Sequence, residues 1–237
     1  METELLYYYD SYLKEFKAKI VDIFENKVAL DKTAFYPEGG GQPADFGSLT
    51  VNDKSIKVIN TLKDGDLIYH IVDPPLDKSL ISSTVQGTID WGRRYAHMRH
   101  HTAIHILSGV LFQKYNAKIT GSQINVDKAR MDINYEQLNR ELLPVIEANA
   151  NEIVKKGLPV NVKFADPKSL DFNNIVRVKL DLLPEKLETV RLIDIEGFDY
   201  QADGGTHVKN TSEVGTIKIV KYESKGKANK RIYIILE

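Results

Sequence analysis

The sequence predicts an α+β chain in two parts, a small N-terminal β-barrel-like domain over residues 1–89 and a mixed α+β domain over residues 90–237. Three observations carry this. Short stretches of alternating apolar and polar residues recur up to about residue 89, separated by turn residues. The pattern then changes to a proline-free run of helical length. Strand-like and helix-like stretches follow it through to the C-terminus.

Ala18–Phe24 alternates and is read as a strand, with Lys27–Leu30 following after a short turn. Thr33–Gly47 (TAFYPEGGGQPADFG) is too rich in Gly and Pro for a regular element, and three adjacent glycines stand at Gly39–Gly41. Ser48–Val51, Ser55–Leu62 and Leu67–Val72 read as further strands, with Asp53, Asp64 and Gly65 marking turns. Residues 74–83 form a connector, and Thr84–Ile89 closes the first part. Trp91–Tyr115 reads as a helix, with Ile104, Leu107, Val110 and Leu111 at helical spacing. Lys118–Ile133 divides into two strands around Asp127–Lys128. Tyr135–Lys156 reads as a second helix. Val160–Phe164, Val176–Leu180, Thr189–Ile195 and Thr216–Val220 read as strands. A lysine-rich turn over Lys221–Lys230 leads to a last strand, Arg231–Leu236.

Composition narrows the chemistry. The 237 residues carry 32 Lys+Arg against 33 Asp+Glu, a net charge of -1, and no Cys. Without cysteine there is no disulfide framework and no thiolate nucleophile or thiolate metal ligand. Neutrality argues against holding nucleic acid by bulk charge, although a local basic patch remains open. No apolar stretch reaches the ~18–20 residues of a membrane-spanning helix. The N-terminus lacks the apolar core of a signal peptide, so a cytoplasmic location is expected.

Four of the six histidines fall at His97, His100, His101 and His105. On a helix, residues four apart share a face, so His101 and His105 have metal-ligand spacing. The alternative is solvent-facing or core histidines. Thr102 occupies the slot that Glu takes in HExxH zinc proteases, which disfavours that chemistry. Downstream, Asp203-Gly204-Gly205-Thr206-His207 again sets two candidate ligands four apart around a flexible turn. Together the two pairs offer four nitrogen and oxygen ligands of types that zinc accepts.

Three motifs resemble the alanyl-tRNA editing proteins, freestanding relatives of the alanyl-tRNA synthetase editing domain. They are His101-Thr102-Ala103-Ile104-His105, the run Asp203–Val208 continuing through Thr211–Gly215, and Phe35–Asp45 (FYPEGGGQPAD). Their order and spacing agree over about residues 15–220. The resemblance implies a barrel-like domain followed by an editing domain of the threonyl/alanyl-tRNA synthetase second additional domain type. It implies the medium-length family type, with no aminoacylation activity expected. It implies a zinc-dependent hydrolase that deacylates mischarged tRNA(Ala), chiefly Ser-tRNA(Ala) and also Gly-tRNA(Ala). The physical need is that a pocket for alanine cannot exclude glycine and rejects an added hydroxyl only modestly.

On this reading one Zn2+ per chain is held by His101, His105, Asp203 and His207, which are also the catalytic set. The family carries Cys where this chain has Asp203, so Asp203 either ligates the metal or orients a water. The family often has Thr at the position of Ile104. Gly204, Gly205 and Thr206 are expected at the substrate, their amides facing the oxyanion, and Ser122 is a candidate polar contact. Thr33, Gly40, Gly41 and Gln42 are candidates to line the pocket, the glycines being equally readable as a structural turn. No acid occurs from Trp91 to Val126, so Arg93, Arg94, Arg99, Lys114 and Lys118 are candidate phosphate contacts. Lys218–Arg231 is a second basic run, also readable as a solvated hairpin tip. The chain is expected to act as a monomer on tRNA(Ala), with no membrane partner. Rival readings are a metal-dependent hydrolase of another aminoacyl-tRNA or small ester, and a non-enzymatic RNA-binding module with structural zinc.

Overall fold

A computed structural model of the chain describes residues 2–171 and 189–237. The chain packs as two units, Met1–Tyr95 and Ala96–Glu237. The fold is α+β, as the sequence predicts.

In unit 1, a parallel pair is formed by β1 (Glu4–Leu5) and β4 (Lys32–Thr33). The other strands are β2 (Glu15–Phe24), β3 (Lys27–Leu30), β5 (Gly47–Val51), β6 (Lys54–Asp64), β7 (Leu67–Asp73) and β8 (Thr84–Ile89). They close into a barrel in the order β2-β3-β7-β6-β5-β8. Closure removes the exposed edges of an open sheet. Alternate residues of each strand point inward, and Phe16, Ala18, Ile20, Val28, Leu30, Leu49, Val58 and Val85 fill the interior. On β2 the buried positions step by two through Ile20 and then jump to Ile23. The register of β2 against β3 shifts between Ile20 and Asp22, a bulge that returns the next apolar residue to the inside. β6 does the same between Val58 and Asn60. Gly87 of β8 lies opposite Phe16 of β2, and a Cβ on it would stand 2.3 Å from the Phe16 ring. The ring lies over the space the glycine leaves.

The loop between β4 and β5 carries the glycine-rich motif and is irregular, as its composition predicts. Gly40 and Gly41 take positive φ angles of 57° and 85°, which favours glycine at both positions. The loop is tied down by Asp45, whose carboxylate accepts from the Tyr36 amide at 2.6 Å.

Unit 2 holds most of helix α1 (Trp91–Tyr115), which matches the predicted span. Every residue from His101 to Val110 is buried. A helix enclosed all round has no need of a polar face, which is why its sequence shows no clean apolar stripe. Strands β9 (Lys118–Ile124) and β10 (Ala129–Asn134) follow as predicted. Helix α2 spans only Leu143–Lys156, not Tyr135–Lys156. Pro144 stands in its first turn, where a missing N–H costs nothing. Ahead of it, the Asn139 side chain accepts from the amides of Glu141 and Leu142, a local turn that competes with helix. Gly157 ends α2 in a left-handed conformation.

β11 (Val160–Ala165) and β12 (Val190–Ile195) are where the alternation places them. The predicted strand Val176–Leu180 lies outside the described residues. β13 (Asp199–Ala202) is absent from the sequence reading because its inward residues are polar. Buried Asp199 and Gln201 bond to one another, and Ser108 of α1 donates to Gln201 at 3.4 Å. β14 (Ile217–Ser224) and β15 (Asn229–Leu236) extend well into the lysine-rich segment, leaving only residues 225–228 as the turn. The sheets of this unit are ordered β14-β15-β10-β9 and β11-β12-β13.

Candidate metal centre

Helical periodicity sets His101 and His105 one turn apart on α1, their ring centroids separated by 5.1 Å. The loop after β13 delivers Asp203 and His207 to the same point. His207 approaches His101 to 4.3 Å and His105 to 4.6 Å between centroids. One ligand atom from each of the four residues lies within 4.8 Å of all the others. Asp203 Oδ2 is 3.0 Å from His207 Nε2, and Oδ1 is 3.4 Å from His101 Nε2 and 3.9 Å from His105 Nε2.

Bonds of about 2.0–2.1 Å to nitrogen or oxygen imply tetrahedral ligand–ligand edges of roughly 3.3 Å. The Asp203 separations bracket that edge, and three imidazoles with one carboxylate are donors zinc accepts. The residues therefore fit a zinc ion. The histidine side chains are 2–7% exposed and that of Asp203 is 20% exposed. Solvent thus reaches the cluster from the Asp203 side.

The turn that carries Asp203 is held from two directions. Arg191 of β12 donates from Nη1 to the Asp203 carbonyl at 2.8 Å, and its own carbonyl accepts the Asp203 amide at 3.2 Å. The Asp203 carboxylate accepts the Gly205 amide at 2.6 Å, which closes an Asx turn. Burial works to raise the Asp203 carboxyl, but the charge of His101 and the hydrogen bonds of His101 and His207 outweigh it and hold the group well below the usual carboxylate range. Burial, with the like charge of His101, pushes His207 down to about 3, so its imidazole is neutral and able to ligate.

The structure gathers His101, His105, Asp203 and His207 and places other predicted residues elsewhere. Gly204 and Thr206 flank the Asx turn. The Gly205 amide is spent on Asp203, which removes it from the expected oxyanion donors. Ser122 is half-buried on β9, opposite Met131. Thr33 is fully buried in unit 1, where its hydroxyl meets His70 Nε2 at 2.8 Å and accepts the Phe35 amide at 3.1 Å. Gln42 is also buried, and the Gly40–Gly41 pair forms the tight turn bridged between Gly39 and Gln42.

Among the five cations, Arg94 is a correction. It is fully buried, paired with Asp45 and bonded to the carbonyls of Ser11 and Ala34. Arg93 lies 3.8 Å over the Phe46 ring and donates to the Ala44 carbonyl. Arg99 donates twice to the Val214 carbonyl. Lys114 and Lys118 are exposed. In the second basic run most cations meet acids: Lys218 with Glu147, Lys221 and Lys225 with Glu223, Lys227 with Glu136, and Arg231 with Asp132. Glu223 is the one acid of that run, and the other carboxylates come from outside the hairpin.

Sequence reasoning missed Arg191, which stands in no ligand pattern and holds the Asp203 turn through a contact that only the fold creates.

Two stretches of the chain resemble parts of aminoacyl-tRNA synthetases. Residues 190–233 match the threonyl and alanyl tRNA synthetase second additional domain, and residues 3–93 match the class II (A) tRNA synthetases. The alanyl-tRNA editing protein AlaX-M of Saccharolobus solfataricus is 43% identical over 98% of both chains. That of Methanosarcina acetivorans is 39% identical over 99% of both. The alanine–tRNA ligase of Thermococcus kodakarensis is 40% identical over 94% of this chain, which covers 24% of the ligase. The chain belongs to the alanyl-tRNA editing protein family of the AlaX-M type.

Proposed function

We propose that the protein is a trans-editing hydrolase that cleaves the ester between tRNA(Ala) and a wrong amino acid, seryl and glycyl esters foremost. One observation carries the reading. The four side chains that the sequence pairs as two candidate couples bring one ligand atom each within 4.8 Å of the others in unit 2, in a chain of the alanyl-tRNA editing family.

His101, His105, His207 and Asp203 hold one zinc ion. Bound there, zinc supplies Lewis acidity that can polarise the ester carbonyl, acidify a water or anchor the terminal ribose. Asp203 is the exposed ligand, so the substrate end of the tRNA enters past it. There it would serve either as a metal ligand or to orient the attacking water. The amides of Gly204 and Thr206 are the remaining donors of that run for an oxyanion. Residues 90–237 are the editing domain, and residues 1–89 form the barrel domain with its glycine-rich loop. Lys114 and Lys118, with Arg99 of the same unit, contact phosphates, and Arg93 of unit 1 is a separate candidate. The protein works as a cytoplasmic monomer.

The test is deacylation of Ser-, Gly- and Ala-tRNA(Ala) and Thr-tRNA(Thr), with and without a chelator. We expect hydrolysis of the seryl and glycyl esters alone, lost on chelation and restored by zinc. Hydrolysis of none of the four sinks the reading. Affinity for tRNA that is indifferent to salt sinks the phosphate contacts.

A further inference from the structure

We propose that Thr102 is a positioning residue of the metal centre. Its hydroxyl holds the His207 ring by Nδ1 in both tautomers that ring must adopt, one when the site is empty and one when it is loaded. The proposal rests on the metal reading above.

Thr102 follows the ligand His101 on α1 and is fully buried. Its Oγ1 lies 3.1 Å from His207 Nδ1, across 105 residues of sequence, and 3.3 Å from the Val208 amide. The amide must donate, so the hydroxyl accepts there. That leaves it one proton to donate and one further lone pair. The other ring nitrogen, His207 Nε2, points at Asp203 Oδ2 at 3.0 Å, into the cluster. One helical turn thus presents two ligands and, between them, the anchor of a third ligand from a distant loop.

The two states follow from hydrogen-bond direction. Without metal, His207 carries its proton on Nε2 and donates it to Asp203, while Thr102 donates to Nδ1. With metal, Nε2 must be bare, so the proton sits on Nδ1 and is donated to Thr102. The ring stays neutral in both, and the proton leaves one nitrogen and returns to the other through solvent. Only the hydroxyl reverses its role. An ionised carboxylate at position 102 could only accept and would serve the loaded state alone. A valine would serve neither. Partners behind a ligating histidine fix its tautomer and ring orientation, and their loss typically costs 10–100-fold in metal affinity.

The test compares wild type, Thr102→Ser and Thr102→Val. Zinc affinity is measured by competition with a chelating dye. The His207 tautomer is read by 15N NMR with and without zinc, assigned against His207→Gln, with near-UV circular dichroism confirming intact packing. We expect Thr102→Val to bind zinc 10–100-fold more weakly and Thr102→Ser to stay within a few-fold of wild type. In wild type the proton should move from Nε2 to Nδ1 on loading. Equal affinity of Thr102→Val and wild type overturns the proposal, as does a His207 ring that keeps its Nε2 proton in zinc-loaded protein. Failure of wild type to take up zinc sinks the metal reading by itself. The metal-free comparison then still decides Thr102, because an unchanged His207 Nδ1 15N shift in Thr102→Val, which means no hydrogen bond was lost there, overturns it.

Discussion

Replacing Arg94 with alanine should cost more stability than removing any exposed charge of unit 1. The guanidinium donates from Nε to both oxygens of Asp45, at 3.0 and 2.9 Å. It also donates to the Ser11 carbonyl at 2.9 Å and the Ala34 carbonyl at 2.5 Å. Both partners of the ion pair are fully buried. Removing the cation leaves a carboxylate without its counter-charge and two carbonyls without a donor. Breaking a buried pair from one side costs about 3–5 kcal/mol. At roughly 2–4 °C per kcal/mol for a chain of this size, the melting temperature should fall by about 6–20 °C. The assay is urea and thermal unfolding of wild type, Arg94→Ala, Asp45→Ala and the double variant. Because each single change strands the other partner, the double variant should cost much less than the sum of the singles. Additive costs, or an Arg94→Ala loss under about 1 kcal/mol, would refute the argument, since losses that small are what exposed pairs contribute.

Gly87→Ala should destabilise unit 1 by about 1–3 kcal/mol through its clash with the Phe16 ring, and Phe16→Leu in the same chain should recover part of that in a denaturant titration. His70 is buried in unit 1 and burial lowers it from 6.5 to about 4. The unfolded chain therefore takes up a proton that the folded chain refuses. This contribution to stability is complete above pH 6.5 and is lost as pH falls toward 4, by about 3 kcal/mol in all. His70→Gln should remove that part of the slope, and unfolding free energies whose wild-type-to-variant difference does not change between pH 7 and pH 4.5 would contradict it. Asp203→Ala should lower zinc affinity while leaving the three histidines able to bind, read by metal analysis after dialysis; unchanged stoichiometry and affinity would leave Asp203 orienting a water.

Much of this was legible in the chain. Alternation gave the barrel strands because a barrel has one wet face and one dry face, and period two records that difference. Spacing of four paired His101 with His105 because a helix turn brings such residues together. The glycine-rich loop was readable because positive φ angles leave few choices besides Gly. What failed to show was what packing alone creates. β13 turns polar Asp199 and Gln201 inward, so its pattern looks like no buried strand. Tyr135–Lys156 had helical apolar spacing throughout, yet Pro144 and the Asn139 side chain decide where the helix begins.

The sequence by itself determined the α+β class, the absence of thiolate chemistry, and four candidate ligands whose types and spacings suit a metal. Tertiary structure decided that the two pairs converge. It also decided which neighbours support them and which basic residues remain available to a polyanion. A sequence reports charge but not enclosure. Arg94 and Lys114 are both cations in an acid-free stretch, and only folding buries the first against Asp45 and leaves the second in water. Thr102 shows the same limit at the site, since its partner stands 105 residues away and only packing brings the hydroxyl to the ring.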